Sequence, residues 1–285
     1  MGVATTAKRA RCASTVTASA WAATCSGWSP RSIFEVQLPS PFITTLGSKL
    51  NGVRILVESH GDPSLPPSRT VLVLPSFSHS SHVASNGDDQ SPGWWQDMVG
   101  PGKPIDTRSW RVLCPSVLGS PFCPTRPATP DADTGKPLRS RFPQLTPTDL
   151  ARAHRATLEV MGVAGSGIPA LHAVVGASLG GMQAVQYASL YGGGSGGVKR
   201  LVAVAATGRT TPYTVCIRRQ QRRAILADPG YAGGEYGAAG SGDGPWEGLR
   251  QARELGTLFY RSRGEFDSRF NWEPTGDRHF TALDT

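Results

Sequence analysis

The sequence predicts an α/β fold, a mainly parallel sheet flanked by helices, and three observations carry that prediction. Short apolar runs rich in β-branched residues alternate with helix-like stretches. One run, Leu171-His172-Ala173-Val174-Val175, leads through Gly176-Ala177-Ser178-Leu179-Gly180 into a helix-like segment that reaches Ala188. After Ile225 the sequence holds no Val, Ile or Met, a composition unsuited to further strands of a parallel core.

The expected strands follow in order. Val53–Val57 and Thr70–Leu74 are apolar runs bounded by turn residues, Trp110–Cys114 is a third, and Leu171–Val175 and Arg200–Ala206 complete the set. Near-continuous apolar character suits strands covered on both faces. Residues 148–161 read as a helix, with Thr148 and Asp149 placed to cap it and Leu150, Ala153, Ala156, Leu158 and Met161 as its apolar positions. Residues 119–147, dense in Pro, Thr and Ser, read as a long ordered loop or a surface excursion, and the glycines of 191–197 as a flexible insertion. From about Thr211 the expectation is helical, with helices over 216–227 and 246–260. The domain reading is a leader over 1–34, an α/β core over 35–210 and an incomplete helical lid over 211–285.

Composition narrows the class. The 285 residues suffice for a real core, and no apolar run approaches the length of a bilayer span. The formal charge of +8 is concentrated at the start, where residues 1–34 hold Lys8, Arg9, Arg11 and Arg31 and no acid. With those four removed, 25 basic residues face 21 acidic ones, and no basic stripe with interleaved aromatics follows, so neither nucleic acid nor a membrane is an expected partner. The leader, rich in Ala, Ser, Thr and Arg, reads as a transit peptide or a disordered tail, for a mitochondrial or cytoplasmic protein, and its first six residues also fit the loose N-myristoylation pattern. The five cysteines are odd in number and lack metal-like spacing, which favours free thiols and no metal.

Strand, sharp turn and helix is the context in which Gly-x-Ser-x-Gly denotes a nucleophile elbow. The flanking glycines suit a strained turn with close backbone contacts, so Ser178 is the candidate nucleophile. The alternative is an ordinary strand-to-helix turn. His79 and His82 precede Ser178, the wrong chain order for the base of such a site, and read as loop hydrogen-bonding groups; Trp94 and Trp95 read as packing residues.

The elbow lies within Ala173-Val174-Val175-Gly176-Ala177-Ser178-Leu179-Gly180-Gly181-Met182-Gln183-Ala184, which resembles the VVGGSMGGMQAL segment of the homoserine O-acetyltransferase family. Gly93-Trp94-Trp95 followed by Gly100-Pro101-Gly102-Lys103-Pro104-Ile105-Asp106-Thr107 is similar to that family's GWW…GPGKAIDT. Val117–Ser120, Thr134–Pro137, Phe142-Pro143, Gln221–Ile225, Asp228-Pro229 and Gly233–Tyr236 extend the likeness, in order, over about residues 50–270. Pro75–His82 stands where the family more usually has HALTGSAH, and with the elbow it looks closer to the fungal serine O-acetyltransferase branch. The resemblance implies an α/β-hydrolase fold with a helical lid, and a homodimer for the full-length protein. It implies transfer of an acetyl group from acetyl-CoA, a co-substrate with no bound cofactor, to L-serine or L-homoserine through an acyl-serine at Ser178. By the same resemblance Phe77 and Leu179 supply backbone N–H donors to the oxyanion, Arg222 pairs with the acceptor's carboxylate and Tyr236 lines its pocket. Without the resemblance, Arg222 reads as one more charge in a solvated basic run.

In one respect the sequence departs from the family. The fold's order is Ser, then Asp or Glu, then His, on loops after later strands. After Ser178 the only histidine is His279, with Asp277 two residues before it, too close for a separate strand-borne partner. The expectation is a sequence that stops within the lid and turns over negligibly by itself. Two other readings stand beside the acyltransferase: a degenerate, non-catalytic relative, and a general esterase, which the elbow alone would support.

Overall fold

The structure is a computed structural model that describes residues 14–16, 32–131, 134–237 and 241–270. The leader's calls lie outside the described residues except for 14–16 and 32–34, and Asp277 and His279 lie outside them altogether. The chain divides into two compact units, Met1–Gly208 and Arg209–Thr285, taken separately below.

Eleven strands are described in the first unit: β1 (Ser14–Val16), β2 (Ile33–Gln37), β3 (Phe42–Ile43), β4 (Lys49–Leu50), β5 (Arg54–His60), β6 (Thr70–Leu74), β7 (Val99–Gly100), β8 (Ile105–Asp106), β9 (Arg111–Pro115), β10 (Ala173–Ala177) and β11 (Leu201–Val204). Seven of them form the main sheet, in the order β1-β2-β5-β9-β6-β10-β11. β9, β6, β10 and β11 run parallel, while β5 is antiparallel to both β2 and β9. Two α-helices are described in this unit, α1 (Pro147–Val160) and α2 (Leu179–Tyr191).

The apolar runs are continuous because both faces of the sheet are covered. Along β6, Leu72 and Leu74 point into one cluster with Ile55, Leu113, Val174, Leu158 and Tyr187, whereas Val71 and Val73 join Val112, Cys114, Val175, Val83 and Val99 in a second. Side chains alternate between faces, so each central strand feeds both cores.

Several local readings shift. The cap of α1 is Thr146, whose hydroxyl accepts from the Asp149 N–H while the Asp149 carboxylate accepts from the Thr146 N–H. Thr148 therefore sits inside the first turn, and Pro147 begins the helix, where its missing N–H costs nothing. Residues 192–197 are packed more tightly than a flexible insertion: a Cβ on Gly196 would lie 2.1 Å from the Gly165 carbonyl oxygen, and Leu171 donates to the Gly197 carbonyl at 2.8 Å. Strand β2 begins at Ile33, two residues before the expected start of the core, and buries Val36 against its register partner Ile55.

The second unit contains α3 (Pro212–Ala227), α4 (Trp246–Phe259) and α5 (Arg263–Arg269). Small residues let α3 and α4 approach. A Cβ on Gly248 would meet the Ala224 carbonyl oxygen at 2.4 Å, and Gln221 Nε2 donates to the Ala252 carbonyl at 2.9 Å. Among the described residues of α4, only Gly248, Ala252 and Gly256 are buried.

Candidate active site

Ser178 is the hinge between β10 and α2, exposed at the carboxyl end of a central parallel strand. Its backbone is at φ 54° and ψ −122°, a conformation that L residues seldom hold and that persists only where the surroundings enforce it. The surroundings are close-packed backbone and one methyl group. A Cβ on Gly176 would lie 2.2 Å from the Gly180 carbonyl oxygen, one on Gly180 2.0 Å from that of Leu74, and one on Gly181 2.6 Å from the Ala206 methyl. The small residues of the motif are therefore needed for this turn to close against β6 and β11. The Ser178 N–H donates to the Val204 carbonyl at 2.9 Å, which ties the turn to β11.

The other predicted elements of the first unit sit around this turn. Phe77 lies three residues beyond β6, 52 % exposed, and Leu179 is the first residue of α2. Neither N–H has an acceptor among the described residues. Two ties hold their segments: the Ser76 hydroxyl donates to the Ala177 carbonyl at 2.8 Å, and Gln183 Nε2 donates to the carbonyls of Pro75 (3.1 Å) and Leu179 (3.2 Å). The Gln183 amide oxygen in turn accepts from Nε2 of His154, on α1, at 2.7 Å. His154 and Gln183 are fully buried. Burial pushes the His154 pKa down from 6.5 to about 4, so the ring is neutral near pH 7.

Farther along the loop after β6, His82 and Trp94 take the structural roles read from sequence. His82 donates from Nδ1 to the buried Glu58 carboxylate at 2.9 Å, with Nε2 2.7 Å from the Ser91 carbonyl oxygen. The bond to Glu58 raises the His82 pKa above its ordinary value despite burial. Asn86 adds a bond to the same Glu58 oxygen at 2.9 Å. Trp94 stacks between His79 and Trp95, with ring centroids 4.6 and 5.2 Å away.

A cleft of about 330 Å³ reaches both Phe77 and Leu179. Val117, Leu118, Phe142, Leu145 and Leu150 line it further, and among the described residues no ionisable side chain contributes to its walls. The Pro-rich segment 119–147 thus supplies part of a cleft wall. Arg222 and Tyr236 belong to the second unit, Arg222 exposed on α3 and Tyr236 41 % exposed with its ring 6.3 Å from that of Tyr231. Among the described residues no histidine follows Ser178, and the five that precede it include the buried His60 and His154 and the paired His82.

The strained serine at a strand-to-helix turn and the strand order agree with the family match: the family described as alpha/beta hydrolase fold matches residues 69–275. The chain belongs to this family. Within the alpha/beta hydrolases it is 40 % identical over 238 residues to a serine O-succinyltransferase of Litchfieldella anticariensis, covering 84 % of this chain and 62 % of that protein. It is 39 % identical over 243 residues to an L-serine/homoserine O-acetyltransferase of Streptomyces lavendulae, covering 85 % and 62 %. The crystal structure of homoserine O-acetyltransferase from Bacillus anthracis superposes with a TM-score of 0.74 at 27 % identity, covering 86 % of this chain and 65 % of that one. The chain thus spans about three-fifths of the length of the curated relatives it matches.

The Gln183–His154 pair was not legible beforehand. Gln183 falls within the elbow motif and His154 within the 148–161 helix, and what joins them to the elbow is tertiary.

Proposed function

We propose that this alpha/beta hydrolase chain carries the nucleophile half of an O-acyltransferase that moves an acetyl group from acetyl-CoA to the hydroxyl of L-serine or L-homoserine. The observation that carries the reading is Ser178, exposed and strained at the end of β10, in a chain about 40 % identical to enzymes named for serine and homoserine O-acylation.

In the first half-reaction Ser178 Oγ attacks the thioester carbon. The C–S bond breaks, CoA leaves as the thiol with the serine proton, and an acetyl ester remains on Ser178. The acceptor hydroxyl then attacks that ester and Ser178 recovers a proton. Both tetrahedral intermediates place negative charge on the former carbonyl oxygen, and the unengaged N–H groups of Phe77 and Leu179 are the donors assigned to it. Proton transfer needs a base, which the fold's chain order puts after Ser178, where no histidine lies among the described residues. Arg222 and Tyr236 are assigned to the acceptor's carboxylate and pocket on the strength of the sequence motifs.

For the donor, the apolar cleft favours acetyl over succinyl. Among the described residues its walls offer no cation to a succinyl carboxylate, and burying an unpaired carboxylate is strongly unfavourable. Purified protein incubated with acetyl-CoA or succinyl-CoA, with L-serine or L-homoserine added, is followed by thiol release and by intact mass. Turnover to the acylated amino acid is expected to be negligible, because no histidine follows Ser178 among the described residues, and a slowly formed acetyl adduct on the Ser178 peptide, absent in Ser178→Ala, is the expected sign of the nucleophile. A succinyl adduct formed faster than the acetyl one would reverse the donor assignment, and no adduct with either donor would favour the non-catalytic reading.

A further inference from the structure

Gln183 and His154 are buried polar side chains that the acyl-transfer scheme above does not use. Burial of an amide and an imidazole inside an apolar layer is unfavourable unless their groups are paired. Gln183 meets that condition fully: its oxygen accepts from His154, and its two N–H bonds go one each to the Pro75 and Leu179 carbonyls. This assignment fixes the amide orientation, because the reverse would set the amide oxygen against two carbonyl oxygens and the amide nitrogen against a ring N–H. His154 is therefore the neutral tautomer with its proton on Nε2, and its Nδ1 has no partner. The neutral form matches the lowered pKa that burial produces.

The two carbonyls belong to the two backbone segments that carry the assigned oxyanion donors. Pro75 opens the segment that reaches Phe77 two residues later, and Leu179 is the other donor residue itself. One amide thus joins the end of β6 to the first turn of α2. Among the described residues, the Ser76 hydroxyl makes the only other side-chain tie between segment 75–77 and the elbow, and it binds the Ala177 carbonyl rather than the helix.

We propose that Gln183, oriented by His154, is a positioning residue that sets the spacing between the Phe77 and Leu179 N–H groups. It acts on the oxyanion of the tetrahedral intermediate through these backbone segments, without touching substrate. The proposal rests on the reading of Ser178 as an acyl-accepting nucleophile. Removing one oxyanion donor typically costs about 10²–10³ in rate; displacing donors that are still present costs less.

The test is acylation of the full chain by p-nitrophenyl acetate, which needs neither thioester nor amino-acid acceptor. Burst rate and ester affinity are measured separately for wild type, Gln183→Met and His154→Leu, with the site of acylation mapped by mass. Gln183→Met keeps length and volume and removes both donors. It is expected to slow acylation about tenfold to a hundredfold with ester affinity unchanged, and to speed hydrogen exchange in the peptides holding Phe77 and Leu179 while the far end of α2 stays protected. His154→Leu, which only frees the amide to turn, is expected to show the same split at a smaller size. Acylation of Gln183→Met within twofold of wild type overturns the proposal. Should that variant fail to fold, equality between His154→Leu and wild type overturns it instead. A wild-type chain that is not acylated at all removes the nucleophile reading and this proposal together, whereas an acylated wild type with unaffected variants removes this proposal alone.

Discussion

Strands β10 and β11 lie side by side, run the same way and are made of the same kinds of residue, yet they live in different surroundings. Val175 and Val202 are direct register partners. Val175 is buried between the central strands, while Val202 is 47 % exposed, and Leu201 and Val204 are 43 % and 45 % exposed. Each strand of a sheet needs two neighbours and two covered faces to become core. β10 has β6 on one side and β11 on the other; α2 packs against both strands, and β11 is hydrogen-bonded on one side only among the described residues. Apolar composition therefore establishes that a segment is a strand without establishing what it packs against.

The largest test of this contrast is at the two turns that follow the strands. Gly180→Ala, in the turn after β10, drives a methyl group into the backbone carbonyl oxygen of Leu74. It should cost about 1–3 kcal/mol or more and reduce Ser178 acylation below detection, read by urea unfolding and intact mass. Gly208→Ala, beyond β11, meets nothing within 4 Å and should change neither.

Next in size is the response to acid. The folded protein holds the His154 and His60 pKa values at about 4, in both cases chiefly because burial disfavours the charged ring. The unfolded chain takes up those protons near pH 6.5, so it binds more protons than the folded state between pH 6.5 and 4. Stability is thus complete above pH 6.5 and falls as pH drops towards 4. For His154 alone the loss is on the order of 3 kcal/mol at 1.36 kcal/mol per pH unit. Urea midpoints at pH 7 and 4.5 should differ less in His154→Leu than in wild type. An equal difference would mean that His154 is accessible to protons in the folded state.

The smallest effect compares the register partners directly. Val175→Ala should cost about 2 kcal/mol for two buried methyl groups, and Val202→Ala within about 0.5 kcal/mol. Equal costs would show that β11 is covered in solution and would erase the contrast.

Much of this architecture was legible in the sequence. Thr70–Leu74 was read to the residue because turn residues bound a purely β-branched and leucine run. The sequence places the strand before Ser178 two residues early, since Gly176 and Ala177 look like turn residues but continue the β10 ladder into the elbow. Strand β2 is masked in the sequence by the basic leader beside it, although Phe34, Val36 and Leu38 alternate. For the site, Ser178 stood out because strain and close packing impose a local motif. Gln183, His154 and the Glu58–His82 pair did not, because a buried polar contact between residues 24 to 108 positions apart leaves no periodic signature.

The loop after β6 passes for unstructured by its lack of helix and strand from Pro75 to Met98. Yet Glu58, on β5, grips it from inside through His82 and Asn86, and Val83 and Ala84 are buried behind them. To a protease, then, this stretch is not a loop. Thermolysin can reach the Val83 bond only when the ion pair and the sheet beneath it open together, so the rate of that cut would report unfolding of the whole first unit rather than fraying of its surface.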